Sequence, residues 1–264
     1  MNRLRYLKPS EAQLREEKIC GFDVSRERKA VWAVELDLLM AFQTICKENG
    51  LRYYMFGGSM LGTARHGGFI PWDDDIDVIM PREDYDRFLK IAPKAFSDPY
   101  VFENPVTDGG KDYYLFSKLR NKSTSGMFET SSPLDKNRGL WMDIFVLDDT
   151  ITYLAPLHYF VYGAVRLLSK IFPVSNALVF RIWNAHERIF KGMRPNGYMQ
   201  GMGPFTYRIY HDRGLWEDPI WKDFCGVKVP VPRRYEEILT LCYGDWKKYQ
   251  VKGEHIEIRD NQLL

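Results

Sequence analysis

Residues 72 to 81 read Trp-Asp-Asp-Asp-Ile-Asp-Val-Ile-Met-Pro, an acidic run leading straight into an apolar one. Ile76, Val78, Ile79 and Met80 have the β-branched and apolar content of a buried strand, and Pro81 ends it. Alternation along that strand puts Asp75 and Asp77 on one face. Two carboxylates held within about 5 Å repel by roughly 3 kcal/mol at an effective dielectric of about 20, so a fold presenting them together must supply compensating charge. A hard divalent cation does so: magnesium takes oxygen ligands and is typically held by one or two carboxylates plus substrate phosphates. The expected substrate then carries a diphosphate. The competing reading is a solvated acidic turn at Asp73, Asp74 and Asp75 with Asp77 exposed.

Upstream, Leu51 to Phe56 reads as a strand and Met60 to Arg65 as a short helix, with Gly57-Gly58-Ser59 between them. Glycines there permit close backbone approach, and Ser59 is placed to cap the helix, so free N–H groups and the helix dipole point at an anion. Such a turn alone often binds nothing; its weight comes from standing just before the Asp75-Ile76-Asp77 strand, because strands adjacent in sequence usually pair in space. A third acid, Asp143, interrupts the apolar run Trp141-Met142-Asp143-Ile144-Phe145-Val146-Leu147, where a carboxylate is costly unless paired. It reads either as an edge-strand acid facing water or as a further metal ligand or general base.

These residues resemble a known pattern. Gly57-Gly58-Ser59, Asp75-Ile76-Asp77 and Met142-Asp143-Ile144 follow the three-part motif of the nucleotidyltransferase fold, and the block from Gly57 to Tyr85 is similar to the LicD family, which includes fukutin-related proteins. Phe116-Ser117-Lys118-Leu119, Trp141 to Phe145 and Tyr243-Gly244-Asp245-Trp246 match its shorter motifs. The resemblance implies an α+β fold, a mixed sheet flanked by helices with a mostly helical C-terminal annex. It also implies transfer of a substituted phosphate, such as phosphocholine, from a CDP-linked alcohol to a sugar hydroxyl of a cell-surface glycan, releasing CMP. By the same likeness Asp75, Asp77 and Asp143 hold Mg2+, with Mn2+ a substitute. Gly57, Gly58 and Ser59 meet the donor diphosphate, and Lys118 serves its phosphates. After Tyr243-Gly244-Asp245 the chain departs from the family, with Trp246-Lys247-Lys248-Tyr249-Gln250 where a Pro-Pro pair is common. That places acceptor identity in question more than the metal chemistry.

Arg65 ends the short helix near the cradle, either serving phosphates or capping a surface helix, and Trp72 either stacks on a base or sugar or belongs to the core. Lys118 and Arg120, on or just after a strand, have a solubilising role as their alternative. Two other functions compete: a nucleotidyltransferase that modifies a small molecule or protein, and a non-catalytic glycan- or nucleotide-binding module.

The 264 residues, 45% hydrophobic, suffice for a catalytic core with an annex. Segments 1–50, 51–150 and 151–264 read as N-terminal helices, catalytic core and acceptor-side annex. A net charge of +2 argues against nucleic-acid binding by bulk electrostatics. The basic stretches Asn2 to Lys8 and Arg26 to Lys29 read as solvated faces. Cys20, Cys46, Cys225 and Cys242 are scattered without zinc spacing, and the N-terminus lacks a secretory apolar run; both suggest the cytoplasm, including the inner face of the plasma membrane.

Helices are predicted over 10–20, 27–49, 82–95, 179–191 and 235–243, and strands over 99–102, 113–119 and 227–232, with 121–138 a loop or flap. Tyr153 to Phe172 is apolar but interrupted by Pro156, His158, Arg166, Ser169 and Lys170, so it reads as an amphipathic helix packed on the core rather than a membrane span. Peripheral attachment to a membrane carrying a lipid-linked acceptor, with Arg166 and Lys170 near the headgroups, is the alternative. His186 and His211 have no companions at ligand spacing and read as structural.

Overall fold

Residues 10–20, expected as a helix, instead form turns and the first strand of a hairpin in the computed structural model of the chain. Strand β1 (Glu17–Ile19) pairs antiparallel with β2 (Phe22–Val24) across Cys20-Gly21, where φ is positive at both residues. That is the backbone a two-residue hairpin needs, and Cys-Gly advertises it less plainly than Asn-Gly. The structure describes residues 4–107, 116–124, 127–128, 139–172, 175–190, 193–201, 207–248 and 256–257. The expectations for Asn2-Arg3, the strand start at 113–115, most of the 121–138 loop, Tyr249-Gln250 and the side chains of Arg166 and Lys170 fall outside the described residues.

Helix α1 (Arg26–Glu48) starts where the Ser25 hydroxyl accepts from the Arg28 backbone N–H at 3.2 Å, and it is buried along most of its length. The basic stretch at its start is not simply a solvated face. Arg28 reaches in to the Asp74 carboxylate, and Lys29 is buried against Glu17. Asp37 is fully buried and accepts from the Tyr6 and Leu7 backbone N–H groups and from the Tyr100 hydroxyl, which ties the N-terminal arm to the core.

β3 (Tyr54–Met55), α2 (Gly57–Arg65), β4 (Asp77–Pro81) and α3 (Arg82–Ala95) follow, then β5 (Tyr100–Glu103), β6 (Ser117–Asn121), the short β7 (Met127–Phe128) and β8 (Leu140–Thr150). β8 is the hub of a seven-stranded mixed sheet: it runs parallel to β4 with Asp143 opposite Asp77, and antiparallel to β6 with Asp143 opposite Lys118. Paired on both flanks, β8 is an interior strand, so Asp143 is not an edge acid facing water. The sheet's apolar side chains Val78, Ile79, Met80, Ile144 and Phe145 are buried, with α1 and α3 packed on β8. The fold is α+β, as the sequence implied.

In the annex, helix α4 (Ala155–Ile171) and α5 (Asn176–Glu187) are followed by β9 (Gly197–Gly201), β10 (Tyr207–Tyr210), β11 (Pro219–Phe224), β12 (Val227–Pro232), α6 (Tyr235–Tyr243) and β13 (Ile256–Glu257). Helix outweighs strand there, yet β9 and β10 extend the central sheet from the end of β8, and β11 and β12 form a separate hairpin. A buried network joins α5 to the core: Arg82 bonds Asp148 at 2.5 and 2.9 Å, Glu187 at 3.0 Å and Asn184 at 2.9 Å. Across the α4–α5 contact His158 Nδ1 lies 3.1 Å from His186 Nε2, a pairing of two histidines 28 positions apart. The expectation that α4 packs its apolar face on the core also fails: Leu157, Phe160, Leu167, Leu168 and Ile171 are all exposed.

Candidate active site

The chain delivers its acids to one point by three backbone routes. Asp77 opens β4, Asp143 sits opposite it on β8, and Asp75 enters from the loop just before β4. One carboxylate oxygen from each of Asp75, Asp77 and Asp143 lies within 4.8 Å of the others, the only such His/Cys/Asp/Glu grouping among the described residues. Asp73 stands beside Asp75 at this cluster, each carboxyl acting on the other.

Gly57 and Gly58 do not stand in a turn ahead of the helix, as expected, but form its first residues, with Phe56 as N-cap. Gly57 has a φ of +52°, and a Cβ there would fall 2.6 Å from an Asp77 carboxylate oxygen; a Cβ at Gly58 would fall 2.6 Å from an Asp73 oxygen. Both glycines therefore make room for acids as much as for any phosphate. Ser59 is not the cap. Its hydroxyl accepts from the Asp77 backbone N–H at 2.8 Å and points its own bond at the Asp75 carbonyl, 3.4 Å away, which pins α2 to the acidic strand.

Burial first, and then the charges of Asp75, Asp143 and Asp73, push the Asp77 carboxyl well above its ordinary range. Asp73 is raised by burial and by Asp75, while Asp75 is raised by burial with the Asp73 hydrogen bond and Lys118 opposing. So many carboxyls cannot all ionise at this spacing without a cation.

Lys118 is 2% exposed, with its ammonium 4.3 Å from the centre of the Trp141 ring. It belongs to an interior strand beside Asp143 and is not a solubilising edge residue. Arg120, on the same strand, is ion-paired to Glu103 at 2.6 Å and so serves the sheet. Arg65 is more than a plain cap: it donates to the Trp246 and Lys248 carbonyls at 3.1 and 3.2 Å and lies over the Trp72 ring. Trp72 is buried, edge-on to Phe22, yet it lines a cavity of about 330 Å³ together with Gly58, Arg65, Asp73, Tyr243 and Asp245. The late Tyr243-Gly244-Asp245 motif thus closes over the glycine cradle, and the Tyr243 hydroxyl is raised by burial and by Asp77 and Asp73.

Sequence reasoning passed over Glu35. It follows Arg28 and Trp32 at one-turn spacing on α1, and those two bond the Asp73 carbonyl at 3.2 and 2.8 Å. Glu35 is 0% exposed and neither of its oxygens has a hydrogen-bond partner among the described residues, in contrast to the saturated Asp37 two residues along. Burial and then the charges of Asp75 and Asp143 raise its carboxyl well above the usual range. The available signal was an acid between Val34 and Leu36 in the stretch Ala30 to Phe42, which is apolar apart from Glu35 and Asp37. A buried carboxyl left without donors beside three others is the environment a divalent ion satisfies, so the residues present fit one.

Residues 50–162 match the LicD/FKTN/FKRP nucleotidyltransferase domain. The lipopolysaccharide cholinephosphotransferase LicD of Haemophilus influenzae is 26% identical over 241 residues, covering 81% of this chain and 88% of that protein. An uncharacterized Rickettsia typhi protein is 32% identical over 177 residues, 65% of this chain, which spans only 50% of its relative there. The human ribitol 5-phosphate transferase FKRP is 57% identical over 35 residues, 13% of this chain and 7% of that protein.

Proposed function

The chain belongs to the LicD/FKRP family, and from that premise we propose that it moves a substituted phosphate, such as phosphocholine, from a CDP-linked donor to a hydroxyl of a cell-surface glycan. The convergence of Asp75, Asp77 and Asp143 within 4.8 Å is the observation that carries this reading. The relatives named for cholinephosphate and ribitol-phosphate transfer support the transferred group as a class.

In the reaction, the acceptor oxygen forms a bond to the phosphorus that bears the alcohol. The bond from that phosphorus to the bridging oxygen breaks, and CMP leaves with its electron pair. Asp75, Asp77 and Asp143 would hold magnesium, with Glu35 behind them. When bound, the ion neutralises diphosphate charge and favours the leaving group. The carboxylate of Asp143 would also take the acceptor's proton. Lys118 offsets charge at the phosphates from the β6 side, while N–H groups at the start of α2 and the glycine backbone accept the donor closely. Tyr243, Asp245 and Trp72 shape the adjoining cavity, where the donor alcohol or nucleoside would lie.

Incubation with CDP-choline, CDP-ribitol, CTP and ATP tests the proposal. Release of CMP only from a CDP-alcohol, lost by about a thousandfold or more in Asp75→Asn and Asp77→Asn, is expected. Pyrophosphate release from CTP or ATP would replace it with nucleotidyl transfer. Tight donor binding without turnover across several glycan acceptors would replace it with a binding module.

A further inference from the structure

Among the described residues, twelve of the seventeen large hydrophobic side chains left exposed lie between Tyr153 and Met193. On α4, Leu157, Phe160, Leu167 and Ile171 recur at steps of three, seven and four residues, the spacing of one helical stripe. On α5, Leu178 and Ile182, and Ile189 just beyond it, continue the same spacing. The opposite sides of the two helices are used up against each other: Val165 packs on Val179 and Phe180, the Tyr162 and Trp183 rings meet at 5.7 Å, and His158 pairs with His186. Each helix therefore turns outward an apolar side that no other described residue covers, well beyond the scattered apolar exposure normal for a protein surface.

Charge decides what covers it. Residues 151–194 contain six Lys or Arg and a single acid, Glu187. That acid is buried and paired with Arg82, so it offers nothing to the surface. Arg181 and Arg194 are exposed, and Arg181 falls on the outward side of α5 beside Leu178. A second copy of this chain on the same face would set cation against cation, which disfavours a symmetric dimer. A protein partner's apolar groove would match the stripes and leave the excess positive charge unanswered. An anionic bilayer answers both, because acyl chains take the apolar stripe and phosphate headgroups take the arginines. No described helix is long and apolar enough to cross a membrane, so the contact is made in the plane of the surface.

We propose that the α4–α5 pair is a peripheral docking surface for an anionic phospholipid bilayer. It requires neither the metal nor the donor, and stands apart from the transfer reaction. The test is flotation of the full chain with vesicles of phosphatidylcholine alone and of phosphatidylcholine with about one third phosphatidylglycerol, without donor or acceptor. The expected result is at least about tenfold greater partitioning to the anionic vesicles, weakened by salt. Phe160→Ser with Leu167→Ser should lose it about tenfold at unchanged melting temperature. Arg181→Gln with Arg194→Gln should weaken it while leaving the fold intact. Equal binding to neutral vesicles, or retention by the serine variant, would overturn the proposal. So would sedimentation showing a dimer that the serine variant dissolves, since a second copy would then own the face.

Discussion

A carboxylate's surroundings decide whether it is architecture or chemistry, and Glu35 and Asp37 make the comparison within one helix. Asp37 is buried with three donors, two of them backbone N–H groups, and its job is to hold the N-terminal arm. Glu35 is equally buried with no donor among the described residues, and it faces the acids of β4 and β8. Removing an unpaired buried carboxyl is often stabilising by about 1–3 kcal/mol. Glu35→Met should therefore raise the metal-free melting temperature while weakening Mn2+ binding in calorimetry; a lower melting temperature would mean the carboxyl has a fixed structural partner instead. Acids at 75, 77 and 143 stood out in the sequence because each interrupts or borders an apolar strand. Glu35 did not, since helices tolerate Glu on any polar stripe and only packing reveals that this one has none.

At the scale of elements, the joint between α3, β8 and α5 rests on Arg82, which holds Asp148, Glu187 and Asn184 together in the interior. Replacing it by Ala leaves two acids buried without their cation, a loss of about 3–5 kcal/mol; urea titration should show a lower midpoint, with α5 the first segment to lose amide protection in hydrogen exchange. Next to it, burial and the neighbouring His186 lower His158 to about 4. A histidine depressed in the fold contributes its full stability above its unfolded value near pH 6.5 and loses it as pH falls toward about 4. Glu187, raised by burial and Asp148, runs the opposite way in this range. The difference between wild type and His158→Gln isolates the histidine: the variant's melting temperature should fall less between pH 6.5 and pH 4.5. This joint was hidden from sequence reading because the partners of Arg82 lie 66 to 105 positions away from it and carry no motif spacing.

The whole molecule couples folding to the acid cluster, because one hydrophobic core runs from Leu4 to Trp246 and carries the strands that bring the carboxylates together. A ligand that binds only the folded state at about a hundred times its dissociation constant stabilises by about 2.7 kcal/mol, or roughly 5–10 °C at this size. Magnesium or manganese should raise the melting temperature by that order, chelation should reverse it, and Asp75→Asn should abolish it; an insensitive wild type would remove the metal from the proposal. Short-range chemistry was readable in one dimension: β4 and its stop at Pro81, α3, β12, α6, and the Gly57 to Asp77 block, whose parts are close enough along the chain to constrain each other directly. Tertiary structure alone decided that Asp143 lies on an interior strand opposite Asp77, that Ser59 pins rather than caps, that Tyr243 and Asp245 close over the cradle, and that α4 shows its apolar stripe to solvent. The reason is physical: backbone periodicity fixes which side chains share a face, but which face is buried, and which distant acid arrives beside it, depends on packing between segments that no local pattern records.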